Sequence, residues 1–296
     1  MIPVPRRLLP IALICLVGGA AHAQPPPRPA GAGQEIHVSA VDNRGLPVTG
    51  LTAADFIVRE DGAAREVLSA AQAEAPLQIA VLIDDSQAAS DATVYLREGL
   101  AAFLERLHGR AEIALITIGE RPTVLAPYSK DTAALQERTR RIFPRSGSGA
   151  YLLDAISDAS RGLAKREGAR RAIVAITFEG TEYSNRQYAQ VLEELTRSGA
   201  ALHVLAVGSP SGSLNDEMRN RNMLIAEGTS RTGGRRDQVL ALSGLPERLK
   251  QAADELVHQY VLTYSRPDTL IPPEKIEVST TRPGVTVRAP TRAPAR

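Results

Sequence analysis

Four nearly continuous aliphatic runs constrain this chain more than any other feature. They lie at Ile79 to Ile83, Ile113 to Ile118, Ile173 to Thr177 and Leu202 to Val207. A strand with one wet face alternates apolar and polar residues; an unbroken run implies burial on both faces, as in a parallel sheet flanked by helices. Helical spacing falls between the runs. Leu96, Leu100, Phe103, Leu104 and Leu107 form one stripe. Leu152, Ile156, Ala159 and Leu163 form a second, and Tyr188, Val191, Leu192 and Leu195 a third. Each stripe is suited to pack on a sheet face. The alternation predicts an α/β fold with a doubly wound, mostly parallel, Rossmann-like sheet.

The flanks read differently. Ile36, Val38 and Ala40 alternate with polar residues, as do Phe56 and Val58. Asp61-Gly62 is a hairpin signal, with Val67 expected to begin the return strand. A last helix is predicted from Pro246 to Gln259, followed by strand character at 260–264, 276–278 and 285–287. The late strands are expected to pair with the early ones in a small β subdomain. Residues 24–34, rich in Pro, Gly and Ala, read as a linker, and 290–296 as a disordered tail.

The N-terminus carries Arg6 and Arg7, an apolar stretch from Leu8 to Val17, and Ala21-His22-Ala23. That order is a secretory signal peptide over residues 1–23, and the stretch is short for a spanning helix. An uncleaved anchor is the alternative. Cleavage removes the chain's one cysteine, Cys15, and two of its 35 basic residues, leaving 33 against 33 acidic. The expected mature chain is therefore exported, periplasmic or extracellular, without a membrane span, cysteine-free and of zero net charge. A disulfide framework and a zinc ribbon are excluded, and a general nucleic-acid role has no basic excess behind it.

Ligands of an open α/β sheet bind at the carboxyl ends of its strands. Those ends read Asp84-Asp85-Ser86, Thr117, Thr177-Phe178-Glu179-Gly180 and Gly208-Ser209-Pro210-Ser211-Gly212. No GxGxxG or GxxxxGK[ST] motif is present, so neither dinucleotide nor nucleoside triphosphate binding has a signature. Pro210 stands where a nucleophile elbow needs serine. The histidines that survive cleavage, His37, His108, His203 and His258, are scattered. Asp84 and Ser86 offer oxygen ligands of the kind Mg²⁺ takes. The alternative for Asp84 is a carboxylate satisfied by backbone N–H groups at the next helix start.

The run IAVLIDDSQAAS resembles the first motif of the von Willebrand factor type A (VWA) domain, whose metal-ion-dependent adhesion site begins Asp-x-Ser-x-Ser. VDNRGLPVTGLTAADFIVREDG and QYVLTYSRP resemble the flanks of a secreted bacterial VWFA-related family. The resemblance covers roughly 35–290. It implies an N-terminal β unit at 35–75, a VWA-like domain at 76–259 and returning strands at 260–289. It also implies a protein-binding or adhesion module, with a protein partner and no enzymatic activity. Carried over, Asp84 and Ser86 match the first two ligands. Ala88 replaces the next serine and Ala150 the threonine of the second motif, with Ser148 the nearest hydroxyl. Glu179 stands near the Asp of the third. Asp84, Ser86 and Glu179 are thus the candidate metal residues of a degenerate site. No cofactor is expected, and Mg²⁺ or Mn²⁺ would be held weakly. Two other readings stay open: an exported hydrolase using carboxylate and Ser groups (Ser86 or Ser209) at the sheet edge, and an envelope-assembly scaffold.

Overall fold

The computed structural model describes residues 33–168, 170–209, 215–267 and 271–292. The expected signal peptide and most of the expected linker lie outside them. Chain order is β1 (Gly33–Asp42), β2 (Phe56–Glu60), β3 (Ala63–Arg65), β4 (Val67–Gln72), β5 (Leu77–Ile83), α1 (Thr93–Arg106), β6 (Ala111–Thr117) and β7 (Thr123–Ser129). It continues with α2 (Thr132–Thr139), α3 (Leu152–Ala164), β8 (Arg170–Phe178), α4 (Tyr188–Ser198), β9 (Ala201–Val207) and α5 (Asp216–Thr232). Last come β10 (Arg236–Val239), α6 (Leu245–Val257), β11 (Tyr260–Ser265), β12 (Ile276–Thr280) and β13 (Val285–Arg288).

The aliphatic runs are the strands of one six-stranded sheet ordered β10-β9-β8-β5-β6-β7. Its pairs are parallel except β6 with β7. β5 is buried along its whole length because both faces are covered. Ile79, Val81 and Ile83 pack with residues of α1 and α6, while Ala80 and Leu82 pack with residues of α3, α4 and α5. The fold is α/β, with small antiparallel sheets beside the main one. Chain direction across the sheet reverses at β5: the next strand lies on one side of it and β8 on the other. The crevice such a reversal opens is at the carboxyl ends of β5 and β8.

The flanking strands form two sheets, β13-β1-β11-β4 and β12-β2-β3. The late strands pair with the early ones throughout. Ile36, Val38, Phe56, Val58, Tyr260 and Leu262 fill the core between them. Asp61 (φ 48°) and Gly62 (φ 82°) make the tight turn of the β2–β3 hairpin, where positive φ matches the strand twist. The expected return from Val67 needs correction. The strand that returns on β2 is β3, and Val67 begins β4, which pairs with β11. Of the expected tail at 290–296, Thr291 is held in place, its N–H donating to Arg231 O (2.9 Å) and its carbonyl accepting from Ile276 N (2.8 Å), and 293–296 lie outside the described residues. The polar helix α5 and edge strands β7 and β10 had no sequence expectation, since none carries a long apolar run.

His203 sits inside β9, wholly buried, and neither ring nitrogen has a hydrogen-bond partner among the described residues. Burial holds its pKa below the usual histidine value, with Glu255 opposing. The unfolded chain therefore takes up a proton below about pH 6.5 that the folded chain refuses, and stability falls with pH there. His203→Leu is expected to remove that contribution. Chemical denaturation from pH 7.5 to 4.5 should show the variant gaining on the parent below about pH 6.5. A constant difference across the range would refute it.

Candidate functional site

Asp84 directly follows β5 at the crevice and is fully buried. Its Oδ1 accepts from Ser86 N (2.9 Å), and its Oδ2 accepts from Phe178 N (2.9 Å) and Thr177 Oγ1 (3.5 Å). The carboxylate thus ties the turn after β5 to the end of β8. One of its backbone partners is at the next turn, and the other lies across the sheet. Burial pushes its pKa up, while these bonds and the Arg221 charge pull it down.

Asp85 faces the other way. Its Oδ1 accepts from Gly119 N (2.7 Å) and its Oδ2 from Arg145 Nε (2.9 Å). A Cβ on Gly119 would lie 2.6 Å from that Oδ1, so only glycine permits the approach. Arg145 also reaches Glu120 (3.0 Å), bracing the 143–151 loop over the strand ends. Ser148 is turned into that loop, its hydroxyl donating to Arg145 O (2.8 Å).

The expected ligand set assembles only in part. Asp84 and Ser86 are adjacent and buried at the crevice. Glu179 follows β8, but its Oε1 accepts from Arg221 Nη1 (3.5 Å). Ala88 is exposed, and a Cβ on Gly180 would meet its methyl at 2.7 Å. Ala150 is buried and bridged to Glu182 through the backbone.

Two site residues have no counterpart among those expectations. Glu182, buried, accepts from Leu152 N (3.1 Å) at the start of α3 and from Ser184 N (3.1 Å). Burial is the main cause that raises its pKa to about 7. Arg221 of α5 is 2% exposed. Its Nη2 donates to Thr177 Oγ1 (3.3 Å) and Phe178 O (3.3 Å). The only sequence signal for Arg221 is that Met218, Arg221, Leu224 and Ile225 share one helical face.

These residues do not fit a divalent cation. Mg²⁺ wants about six oxygens in near-octahedral order. Here both Asp84 oxygens already accept backbone N–H bonds, two ligand positions are alanines, and a guanidinium lies among the remaining oxygens. Nor does the crevice hold a serine–histidine pair among the described residues. His108 bonds Thr132 Oγ1 (2.9 Å), His258 bonds Asp254 O (2.7 Å), His203 is inside β9, and His37 is on β1.

The family model for the von Willebrand factor type A domain matches residues 79–180. Among solved structures, a von Willebrand factor type A protein from Catenulispora acidiphila superposes with TM-score 0.52 and 10% identity, covering 88% of this chain and 72% of that one. Mussel byssus proximal thread matrix protein 1, solved with a zinc-occupied MIDAS motif, gives TM-score 0.52 and 15% identity, covering 67% of this chain and 49% of that one. Identities at this level speak to the fold alone. Ribosomal RNA large subunit methyltransferase H of Bacillus cytotoxicus is 26% identical over 128 residues, covering 43% of this chain and 68% of that protein. A partial match at that identity carries no reaction over to this chain.

Proposed function

We propose that this chain, whose residues 79–180 match the von Willebrand factor type A model, is an exported, non-catalytic protein-binding module of that kind with a degenerate metal-ion-dependent adhesion site. The observation that carries this reading is Asp84. Its oxygens accept from Ser86 N and Phe178 N, so the carboxylate shapes the loops and, with the Arg221 charge beside it, is not presented to a metal or a substrate. The contact face is then the loop surface itself. Tyr183 is half-exposed and its ring is tilted against that of Tyr151, ring centroids 5.9 Å apart. Phe143 is exposed beneath Arg97, whose guanidinium lies 4.5 Å from its ring. Aromatic residues and arginine on a braced surface are the usual anchors of protein interfaces.

Export rests on the order of residues 1–23, and a protein partner suits the zero net charge left after cleavage. No helix among the described residues is long and apolar enough to cross a membrane.

Photo-crosslinking from the full chain, in the cells that export it, tests the reading. A photoreactive side chain at position 88 or 183 is expected to capture one and the same partner, with or without EDTA. Position 68, on the edge strand β4, should capture none. Capture from position 68 alone would move binding to the β subdomain. That outcome favours the envelope-assembly reading, in which the open edge of β4 accepts a partner strand. Turnover of an ester or peptide that is lost in Ser86→Ala would overturn the non-catalytic assignment.

A further inference from the structure

Arg221 is the least exposed arginine among the described residues. A guanidinium buried without compensation is strongly unfavourable, so a buried arginine must be paid back by its neighbours. Here the neighbours come from one strand end. Thr177 Oγ1, Phe178 O and Glu179 Oε1, on three consecutive residues, lie 3.3, 3.3 and 3.5 Å from its nitrogens. Thr177 in turn donates to Asp84, making a relay from Arg221 to the carboxylate just after β5. The Arg221 charge also acts on buried Asp84 and on buried Glu182. One cation therefore serves three carboxylates at the point where a metal-dependent domain of this fold would hold its ion.

We propose that the Arg221 guanidinium is the resident cation of the strand-end site, supplied by α5 in place of a divalent metal, and that it closes the site to Mg²⁺ and Mn²⁺. The guanidinium is held by three acceptors of one strand end, so the place is filled by a side chain of the protein itself. A second cation among the same oxygens would meet that fixed charge at close range. Being 2% exposed, Arg221 cannot itself receive a carboxylate from a partner. What it holds is the relative position of the loop after β5 and the loop after β8. Partner binding at this face then needs no metal bridge, a consequence that rests on the function proposed above. The cation replacement itself is tested with metal alone.

The experiment titrates Mn²⁺, with Mg²⁺ as competitor, into the full chain, using calorimetry and electron paramagnetic resonance. The parent is expected to bind no Mn²⁺ at this site at millimolar concentrations. Arg221→Ala should bind Mn²⁺ at least about tenfold more tightly than the parent, and Asp84→Asn in that background should abolish it. Arg221→Lys, which keeps a charge, should bind none. Should Arg221→Ala be unstable, added Mn²⁺ is expected to raise its Tm and leave the parent's unchanged. Site-specific Mn²⁺ binding by the parent that Asp84→Asn removes would overturn the proposal. So would a folded Arg221→Ala that binds no Mn²⁺. A failure of the crosslinking experiment leaves these results untouched.

Discussion

Asp84→Ala is expected to lower the Tm of the full chain by about 10 °C. The substitution leaves Ser86 N and Phe178 N buried without their acceptor. Each unsatisfied buried donor costs roughly 1–3 kcal/mol. Two of them, with the lost compensation of Arg221, come to about 4 kcal/mol, and a chain of this size loses roughly 2–4 °C per kcal/mol. Asp84→Asn keeps one acceptor oxygen and turns an amide N–H₂ toward the other donor, so about half that loss is expected. The ordering Ala below Asn below parent, read by calorimetry, is the signature of a carboxylate that works through backbone N–H groups. A residue serving only a weakly held metal would give two near-neutral variants in metal-free buffer. Crosslinking from position 183 should weaken in step with Tm, because the loop after β8 loses its tie to β5.

The second large effect lies at the opposite end of the sheet. Arg170 opens β8 and is buried, with its guanidinium spread over four acceptors. Its Nη1 donates to Ala73 O (3.0 Å) and Ala75 O (3.0 Å), and its Nη2 to Leu256 O (2.5 Å) and Gln259 Oε1 (3.1 Å). These belong to the β4–β5 link, the end of α6 and the residue before β11. Burial pulls the Arg170 pKa down to about 10, so it stays charged near neutrality. The carbonyl at the end of α6 compensates that charge, as the negative end of a helix dipole does. Arg170→Met keeps the stem and strands the acceptors. Hydrogen bonds from a charged group contribute roughly 1.5–3 kcal/mol each, without simple additivity, so about 4–5 kcal/mol and a fall of about 10–15 °C are expected. Arg170→Lys should recover little, because one ammonium cannot span four acceptors set in a planar fan. Hydrogen exchange should show β4 and β11 losing protection before β5. A Tm within about 2 °C of the parent would show that the β subdomain is held by its apolar contacts alone.

Much of the fold was legible because it rests on local pattern. Buried strands such as β5, β8 and β9 announce themselves as aliphatic runs, and α1, α3 and α4 as apolar stripes. Less of the site could be read. Asp84 and Ser86 were visible, since a strand that stops at Asp-x-Ser places both at the sheet edge. Glu179 was visible too, but as a metal candidate, whereas it faces Arg221. Glu182 was not singled out, because nothing local distinguishes it from a solvated carboxylate. Arg221 sits in the polar helix α5, where an arginine ordinarily faces water.

The sequence by itself determined which segments become strands and helices, the parallel character of the main sheet, and the placement of Asp84 at its edge. These follow from periodicity and from burial on one or both faces, which adjacent residues encode. Only the tertiary structure decided what Asp84 does. Its partner Phe178 is 94 residues away, and Arg221 reaches Thr177 across 44. Compensation of a buried charge is settled through space by whichever oxygens the packing brings within reach, and chain neighbours carry no record of it.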